Sequence, residues 1–297
     1  MKLSTLILVS LMLFCTANIL AQKFPDWHQM DQQTLDDSYN NSKAVPESPA
    51  MFNAWIERSK AFRAAHSQYL DIPYGSLDRE KIDYFSAGSN TPVVIFIHGG
   101  FWQMRSKNDF AFLAESYLKE GISVAMVGYP LAPQANMDQI VASSEKAVQF
   151  ISQHIAEWGG NPQNVVLSGW SSGGHLSVTS MNGMKVKAVV PISGIFELEP
   201  LMGSFVNKKL QMDLETAKRN SPLLHLPTGK TPIYLFVGGS ELSEMRRQSF
   251  DFAEQLKASN YYVVFMIVRG KDHYTMLEEF EFPEGAIHNR IVSVFKQ

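Results

Sequence analysis

The chain has 297 residues, 45% of them hydrophobic, with a formal net charge of −3 and a single cysteine. This length and hydrophobic content suit one large α/β domain better than two small ones. The near-neutral charge, without a long basic run, gives no reason to expect a nucleic-acid partner or an acidic membrane surface, so a small neutral or weakly polar molecule is the expected partner.

Residues 1–21 have the pattern of a secretory signal peptide, with Lys2, an apolar run through Phe14, and small or neutral residues before a cleavage position after Ala21. The apolar run is too short to span a membrane, and no stop-transfer flank follows, so we expect no stable membrane insertion after cleavage. The expected location is therefore the periplasm or the exterior. Cys15 lies in this segment, which leaves the mature chain without disulfides, thiolate metal sites or a cysteine nucleophile.

Polar residues dominate 22–50, and we expect this stretch to form an arm on the surface of a domain that covers 51–297. The spacing of apolar residues predicts a helix over 52–69. A turn and a first strand or hairpin are predicted over 72–84.

The rest of the domain alternates apolar runs, typical of strands buried on both faces, with helical patterns. The predicted strands are 92–97, 122–127, 165–167, 188–192, 233–237 and 261–268, and the predicted helices are 109–120, 137–158, 244–258 and a last helix from about residue 286. Residues 193–231, rich in Pro and Gly, interrupt the alternation and are predicted to form a cap-like insertion. This order predicts a mostly parallel central sheet with helices on both faces.

The motif G-x-S-x-G occurs at 169–173, between a predicted strand and a predicted helix. In that context a sharp turn holds the central serine in a strained conformation above the strand ends, which makes Ser171 the candidate nucleophile. Taken alone, the pattern is equally consistent with a chance glycine-serine loop. Support must come from a base, an acid and an oxyanion site at other strand ends.

The sequence His98-Gly-Gly-Phe-Trp follows the predicted strand 92–97. Consecutive glycines leave backbone N–H groups unobstructed, so Gly99 and Gly100, together with the N–H of Ser172, are the predicted oxyanion hole. The simpler alternative is a glycine turn after a strand. We expect His98 to brace this loop by hydrogen bonding.

Two further loops supply an acid and a histidine. Glu241 follows strand 233–237 and is the predicted acid, whereas Glu244 is expected in the first turn of the next helix. His273 follows the next strand and is the predicted general base, and Asp272 beside it is expected to point elsewhere. The order Ser171, Glu241, His273 is that of α/β-hydrolases. Since the remaining histidines lack metal-ligand spacing, we expect neither a catalytic metal nor a cofactor.

Several stretches resemble the α/β-hydrolase esterases, and the kynurenine formamidase (arylformamidase) branch most closely. The shared motifs are HGGFW, YPLAP at 129–133, GWSSGGHL and DHY, with less common support from IPYG at 72–75, FELEPL at 196–201, Asn207, Ser221-Pro222 and RRQS at 246–249. The resemblance covers roughly Trp55 to the C-terminus. It implies the same three catalytic residues and a position for Trp102 at the border of the substrate pocket.

The chain departs from the pattern of this branch at three positions. Trp170 and Ser172 stand where the branch commonly has histidine and alanine on either side of the nucleophile. Glu241 stands where aspartate is usual.

These features predict a serine hydrolase that cleaves a carboxylic ester or an aryl-formamide bond of a small substrate through an acyl-enzyme. The aromatic side chains of Phe101, Trp102 and Trp170 indicate a flat or apolar substrate part. A general short-chain carboxylesterase without a formamidase role is the alternative within the enzyme class. A non-catalytic secreted binding protein on the same fold is the alternative outside it. The sequence indicates no oligomeric state.

Overall fold

A computed structural model describes residues 24–182 and 185–297, so the predicted signal peptide lies outside the described residues. The strands are β1 Ile72–Pro73, β2 Lys81–Phe85, β3 Thr91–Ile97, β4 Ser123–Val127, β5 Gly160–Trp170, β6 Ala188–Ile192, β7 Ile233–Gly238 and β8 Val263–Val268. The helices are α1 Gln32–Asp37, α2 Asn41–Ala44, α3 Ser48–Ala65, α4 Ala114–Lys119, α5 Met137–His154, α6 Ser172–Thr179, α7 Glu199–Met202, α8 Asn207–Leu210, α9 Leu214–Arg219, α10 Ser243–Ala258, α11 Met276–Glu281 and α12 Ala286–Phe295.

The described residues form one eight-stranded sheet in the order β1-β2-β4-β3-β5-β6-β7-β8. The pairings of β1 with β2 and of β2 with β4 are antiparallel, and those from β4 to β8 are parallel. The expected α/β-hydrolase architecture, a mostly parallel sheet between helices, is confirmed. All strand ends that carry candidate site residues lie along one edge of this sheet.

Alternate residues of each central strand pack against different layers, because successive side chains of a strand point to opposite faces. In β3, Val93, Ile95 and Ile97 join the core formed with α5, α6 and α10. Val94 and Phe96 join the core formed with α3, α4 and α12. All five side chains are at most 1% exposed, which explains the uninterrupted apolar run in the sequence.

Helix boundaries differ from the predictions where capping or tertiary contacts decide them. The helix predicted over 52–69 is α3, which begins four residues earlier, with proline in its first turn. The helix predicted over 109–120 starts only at Ala114, because a capping box between Ser106 and Asp109 closes a 3₁₀ turn before it. Helix α11 was absent from the predicted elements.

Residues 24–47 form short helices that pack on the domain. Tyr39 is fully buried, and its hydroxyl donates to Glu244 at 3.0 Å and accepts from the Gln248 amide at 2.9 Å. The segment 193–231 contains the short helices α7, α8 and α9, and its Phe205 N–H donates to Asp36 at 2.5 Å. The two segments therefore meet above the sheet edge.

Over residues 24–182 and 185–297, no helix is both long and apolar enough to cross a membrane.

Candidate active site

The turn from β5 into α6 holds Ser171 in a conformation that favours glycine, with φ +58° and ψ −123°. Its N–H donates to the carbonyl of Ile192 at 2.8 Å. The turn is tight because a Cβ placed on Gly173 would lie 2.0 Å from the carbonyl oxygen of Ile97. Strain of this kind is kept only where surrounding contacts enforce it, as at catalytic turns.

Glu241 and His273 meet across the neighbouring loops that follow β7 and β8. His273 Nδ1 lies 2.7 Å from Glu241 Oε2, and both side chains are buried, at 4% and 0% exposed. Glu241 Oε1 also accepts hydrogen bonds of 2.6 Å from the Ser193 hydroxyl and the Gly238 N–H. With a carboxylate on Nδ1, the imidazole carries its proton there and leaves Nε2 free to accept another.

Ser171 and His273 line the same cleft. Within the described residues their side chains are not joined by a hydrogen bond, as is common in catalytic sites without substrate. The cleft is lined by Tyr39, Asn40, Asn41, Ser42, Phe52, Gly100, Phe101, Met104, Arg105, Trp170, Ser171, Phe205, His273 and Tyr274.

The glycine loop after β3 lies beside the serine. A Cβ on Gly99 would lie 3.0 Å from the Ser171 Cβ, and Gly100, with φ +123°, lines the cleft. Ser172 is the first residue of α6, where the leading N–H groups have no partner within the helix. The three residues predicted to form the oxyanion hole therefore lie near Ser171.

His98 has the bracing contacts expected from the sequence. Its Nδ1 lies 2.7 Å from the Gly99 carbonyl, its ring stacks on Tyr129, and the Tyr129 hydroxyl donates to the His98 carbonyl at 2.9 Å. Burial lowers the pKa of His98 to about 3, so this imidazole is neutral. It fixes the loop that carries the two glycines.

Of the three aromatic residues predicted to bind substrate, two line the cleft and one does not. Phe101 and Trp170 line the cleft, but Trp102 does not, because its side chain is fully buried and packs edge-on against His175. Trp170 has a second contact that the sequence did not reveal: its indole N–H donates to the His273 carbonyl at 2.8 Å. Trp170 thus also holds the loop that carries His273.

Two other carboxylates near the site are engaged elsewhere. Asp272 Oδ1 accepts the N–H groups of Tyr274 and Thr275, at 2.8 and 2.9 Å. Glu244, in the first turn of α10, is fully buried and paired with Arg247 at 2.8 Å. Neither lines the cleft.

Sequence reasoning missed the contribution of distant segments to the cleft. Asn40, Asn41 and Ser42 come from the N-terminal arm, and Ser42 Oγ lies 2.9 Å from the Tyr274 hydroxyl. Phe205 comes from the 193–231 segment, and its ring centroid is 6.3 Å from that of Phe101. No local pattern in the sequence marks these residues, since they reach the site only through packing.

Within the described ranges, no group of three or more His, Cys, Asp or Glu side chains is arranged to hold a metal ion.

The chain is similar to several known proteins. A family model described as BD-FAE matches residues 84–190. The kynurenine formamidase of Danio rerio is 30% identical over 276 residues, covering 86% of this chain and 93% of that protein. A protein of Arabidopsis thaliana described as a probable isoprenylcysteine alpha-carbonyl methylesterase is 26% identical, covering 68% of this chain and 50% of that protein.

A solved structure of a candidate thioesterase from Silicibacter sp. superposes with a TM-score of 0.79 at 28% identity. The match covers 89% of this chain and 99% of that chain.

Proposed function

The chain belongs to the α/β-hydrolase family that includes the kynurenine formamidases, and on this premise we propose that it cleaves an ester or aryl-formamide bond of a small aromatic substrate with Ser171 as nucleophile. The observation that carries the proposal is the 2.7 Å contact between His273 Nδ1 and Glu241, in the wall of the cleft that Ser171 also lines. This contact supports the proposal that Nε2, the other ring nitrogen of His273, serves as the general base.

In the proposed first step, Ser171 Oγ attacks the substrate carbonyl carbon while His273 Nε2 takes the hydroxyl proton. Negative charge then develops on the carbonyl oxygen, where the N–H groups of Gly99, Gly100 and Ser172 stabilise it. One such donor contributes about 3 to 4 kcal/mol in the transition state. Glu241 stabilises the imidazolium that forms.

Collapse of this intermediate breaks the bond to the leaving amine or alcohol, which receives its proton from His273 Nε2. The acyl or formyl group remains on Ser171 Oγ. Water then attacks this ester with His273 again acting as base, and the carboxylic acid or formate leaves as the serine hydroxyl is restored. The products are an aryl amine with formate, or an alcohol with a carboxylic acid.

Covalent labelling tests the nucleophile directly. A fluorophosphonate probe, followed by peptide mass spectrometry, is expected to modify Ser171 in folded protein and to leave Ser171→Ala unlabelled. Ser177→Ala is a matched control, because its buried hydroxyl only donates to the Gly174 carbonyl within α6. Labelling that persists at another residue in Ser171→Ala would refute the assignment.

The substrate proposal favours an aryl formamide such as N-formylkynurenine, because the kynurenine formamidase relative matches over most of both chains. A short-chain ester is the second candidate, and the methylesterase relative supports it. Turnover of N-formylkynurenine, compared with that of p-nitrophenyl acetate and butyrate, separates the two. A kcat/KM for the formamide well below those for the esters would contradict the formamidase version.

We also propose export of the chain with removal of residues 1–21. N-terminal sequencing of protein recovered from a periplasmic fraction is expected to begin at Gln22. Recovery only from the cytosol, with residue 1 retained, would contradict it.

A further inference from the structure

One cationic side chain stands out on the wall of the cleft. Among the described residues that line it, Arg105 is the only arginine or lysine, and none is aspartate or glutamate. The remaining wall is formed by aromatic rings, Met104, Gly100 and uncharged polar groups, with His273 as the other titratable base. The cleft therefore has a fixed positive charge and no fixed negative one.

Arg105 lies close to the predicted reacting centre. A Cβ placed on Gly100 would be 3.1 Å from the Arg105 Cγ, so the arginine stem packs on the glycine loop. Its guanidinium carbon lies 3.3 Å from the ring centroid of Phe52, and the Phe52 and Trp170 centroids are 6.4 Å apart. Trp170 immediately precedes Ser171, and both residues line the cleft together with Arg105.

The backbone holds this arginine in place. Arg105 has φ +73°, and its carbonyl accepts a hydrogen bond from Arg79, which also donates to the Tyr129 carbonyl at 3.1 Å. A non-glycine residue in the left-handed backbone conformation is strained, and other contacts must offset the free-energy cost of that strain. The loop thus fixes the direction in which the Arg105 side chain leaves the backbone.

The guanidinium of Arg105 stacks on Phe52 but forms no salt bridge with a carboxylate of the described residues. Its Nε is buried and has no hydrogen-bond partner. Asp109 is the acid that acts on it electrostatically, but that carboxylate accepts the Ser106 N–H at 2.9 Å. Burial lowers the pKa of Arg105, as expected for a cation that is not neutralised. By contrast, the buried Arg247 contacts Glu244, Glu197 and Asp251.

A second unsatisfied donor lies on the same wall. Asn41, from the arm, is 4% exposed, and its Nδ2 has no hydrogen-bond partner among the described residues. Buried donors without acceptors are costly, so such groups commonly mark the position of a bound acceptor. A carboxylate is the acceptor best matched to a guanidinium, because it accepts two parallel N–H bonds.

We propose that Arg105 determines specificity by binding a carboxylate on the aromatic part of the substrate, with the Asn41 amide as a second donor. This inference builds on the proposed hydrolase function. Since the lining residues include one arginine and no carboxylate, substrates with a carboxylate are preferred over their neutral analogues. The substrates it selects are aryl formamides and aryl esters that bear an acid group.

Matched substrate pairs test this proposal. The first pair is 4-acetoxybenzoate and 4-acetoxybenzamide, and the second is N-formylanthranilate and 2-formamidobenzamide, in which only the charge of the recognition group changes. For Arg105→Gln we expect kcat/KM for the acids to fall about 10- to 100-fold and that for the amides to change less than about 3-fold. Arg105→Lys should retain part of the preference for the acids. An equal fall for acids and amides would overturn the proposal.

Arg290→Gln is the control, because this half-buried arginine also lies over an aromatic ring, that of Tyr234, at 4.7 Å, and does not line the cleft. It should leave the acid-to-amide ratio unchanged. Isothermal titration with benzoate and benzamide adds a readout that needs no turnover, and benzoate should bind at least 10-fold tighter in an Arg105-dependent manner.

These measurements separate the two proposals. If wild type and Ser171→Ala turn over all four compounds equally slowly while benzoate binding depends on Arg105, the hydrolase proposal fails and the anion site stands. If hydrolysis depends on Ser171 but Arg105→Gln alters neither the substrate ratio nor benzoate binding, the anion site is refuted alone.

Discussion

The hydrogen bonds around Glu241 make Glu241→Gln a sharp test of the proposed catalytic triad. The carboxylate accepts from His273 Nδ1 at 2.7 Å through one oxygen, and from Ser193 Oγ and the Gly238 N–H at 2.6 Å through the other. A glutamine has one acceptor oxygen. The Gly238 N–H cannot reverse its role, so this donor holds the amide oxygen and turns the amide NH₂ towards His273.

That orientation forces the imidazole proton onto Nε2, where it blocks proton transfer from Ser171. The alternative orientation leaves the buried Gly238 N–H without an acceptor, at a cost of about 1 to 3 kcal/mol. The active tautomer is therefore reduced about 5- to 150-fold. Loss of the negative charge that stabilises the imidazolium lowers the rate further, for a total decrease in kcat of about 10³- to 10⁴-fold.

The assay compares kcat for a p-nitrophenyl ester with the free energy of unfolding from urea titration. Glu281→Gln is the matched control, because Glu281 is a buried acid paired with Arg58 and does not line the cleft. We expect it to keep kcat within about 3-fold. A folded Glu241→Gln that retains more than a tenth of wild-type kcat would refute this account of the triad.

Two further predictions concern stability. Gly173→Ala puts a Cβ 2.0 Å from the Ile97 carbonyl oxygen and should lower the free energy of unfolding by about 3 kcal/mol. Gly121→Ala is the control, because its Cβ meets open space and only its positive φ should cost free energy, about 1 kcal/mol. Equal urea midpoints for the two variants would contradict this prediction. Burial lowers the pKa of His175 to about 4 from 6.5, so between these values only the unfolded chain binds the proton and stability falls as pH decreases. The free energy of unfolding, measured by urea titration, should therefore fall by about 2 kcal/mol less between pH 7 and pH 5 in His175→Gln than in the wild type. An equal fall in both proteins would refute the lowered pKa of His175.

Local patterns were sufficient for the core of the fold. The apolar runs correspond to β3, β4, β6 and β7 within one or two residues, because strands buried on both faces exclude polar side chains. The glycines around Ser171 marked the turn, since only a residue without a Cβ fits against the Ile97 carbonyl. The positions of Glu241 and His273 followed from chain order, because successive parallel strands end at one edge of the sheet.

Element ends and the composition of the cleft were harder to predict. The 3₁₀ turns before α4 depend on one capping box, which short-range propensity does not reveal. Trp102 was expected at the pocket border, yet its neighbours in space, His175 among them, enclose it completely. Phe101 therefore lines the cleft while the adjacent Trp102 lies in the core, because their positions depend on backbone dihedral angles that the sequence does not specify.

The sequence by itself determined the hydrolase architecture and the chain order of the candidate residues Ser171, Glu241 and His273, because both depend on local periodicity and on the ends of parallel strands. Only the tertiary structure decided what surrounds them. Arg105 became a candidate binding residue because it has no carboxylate partner among the described residues. Asn41 reaches the cleft because the N-terminal arm is held by the buried hydroxyl of Tyr39. Charge compensation and burial are properties of three-dimensional neighbours, and these neighbours come from segments that are distant from one another in the chain.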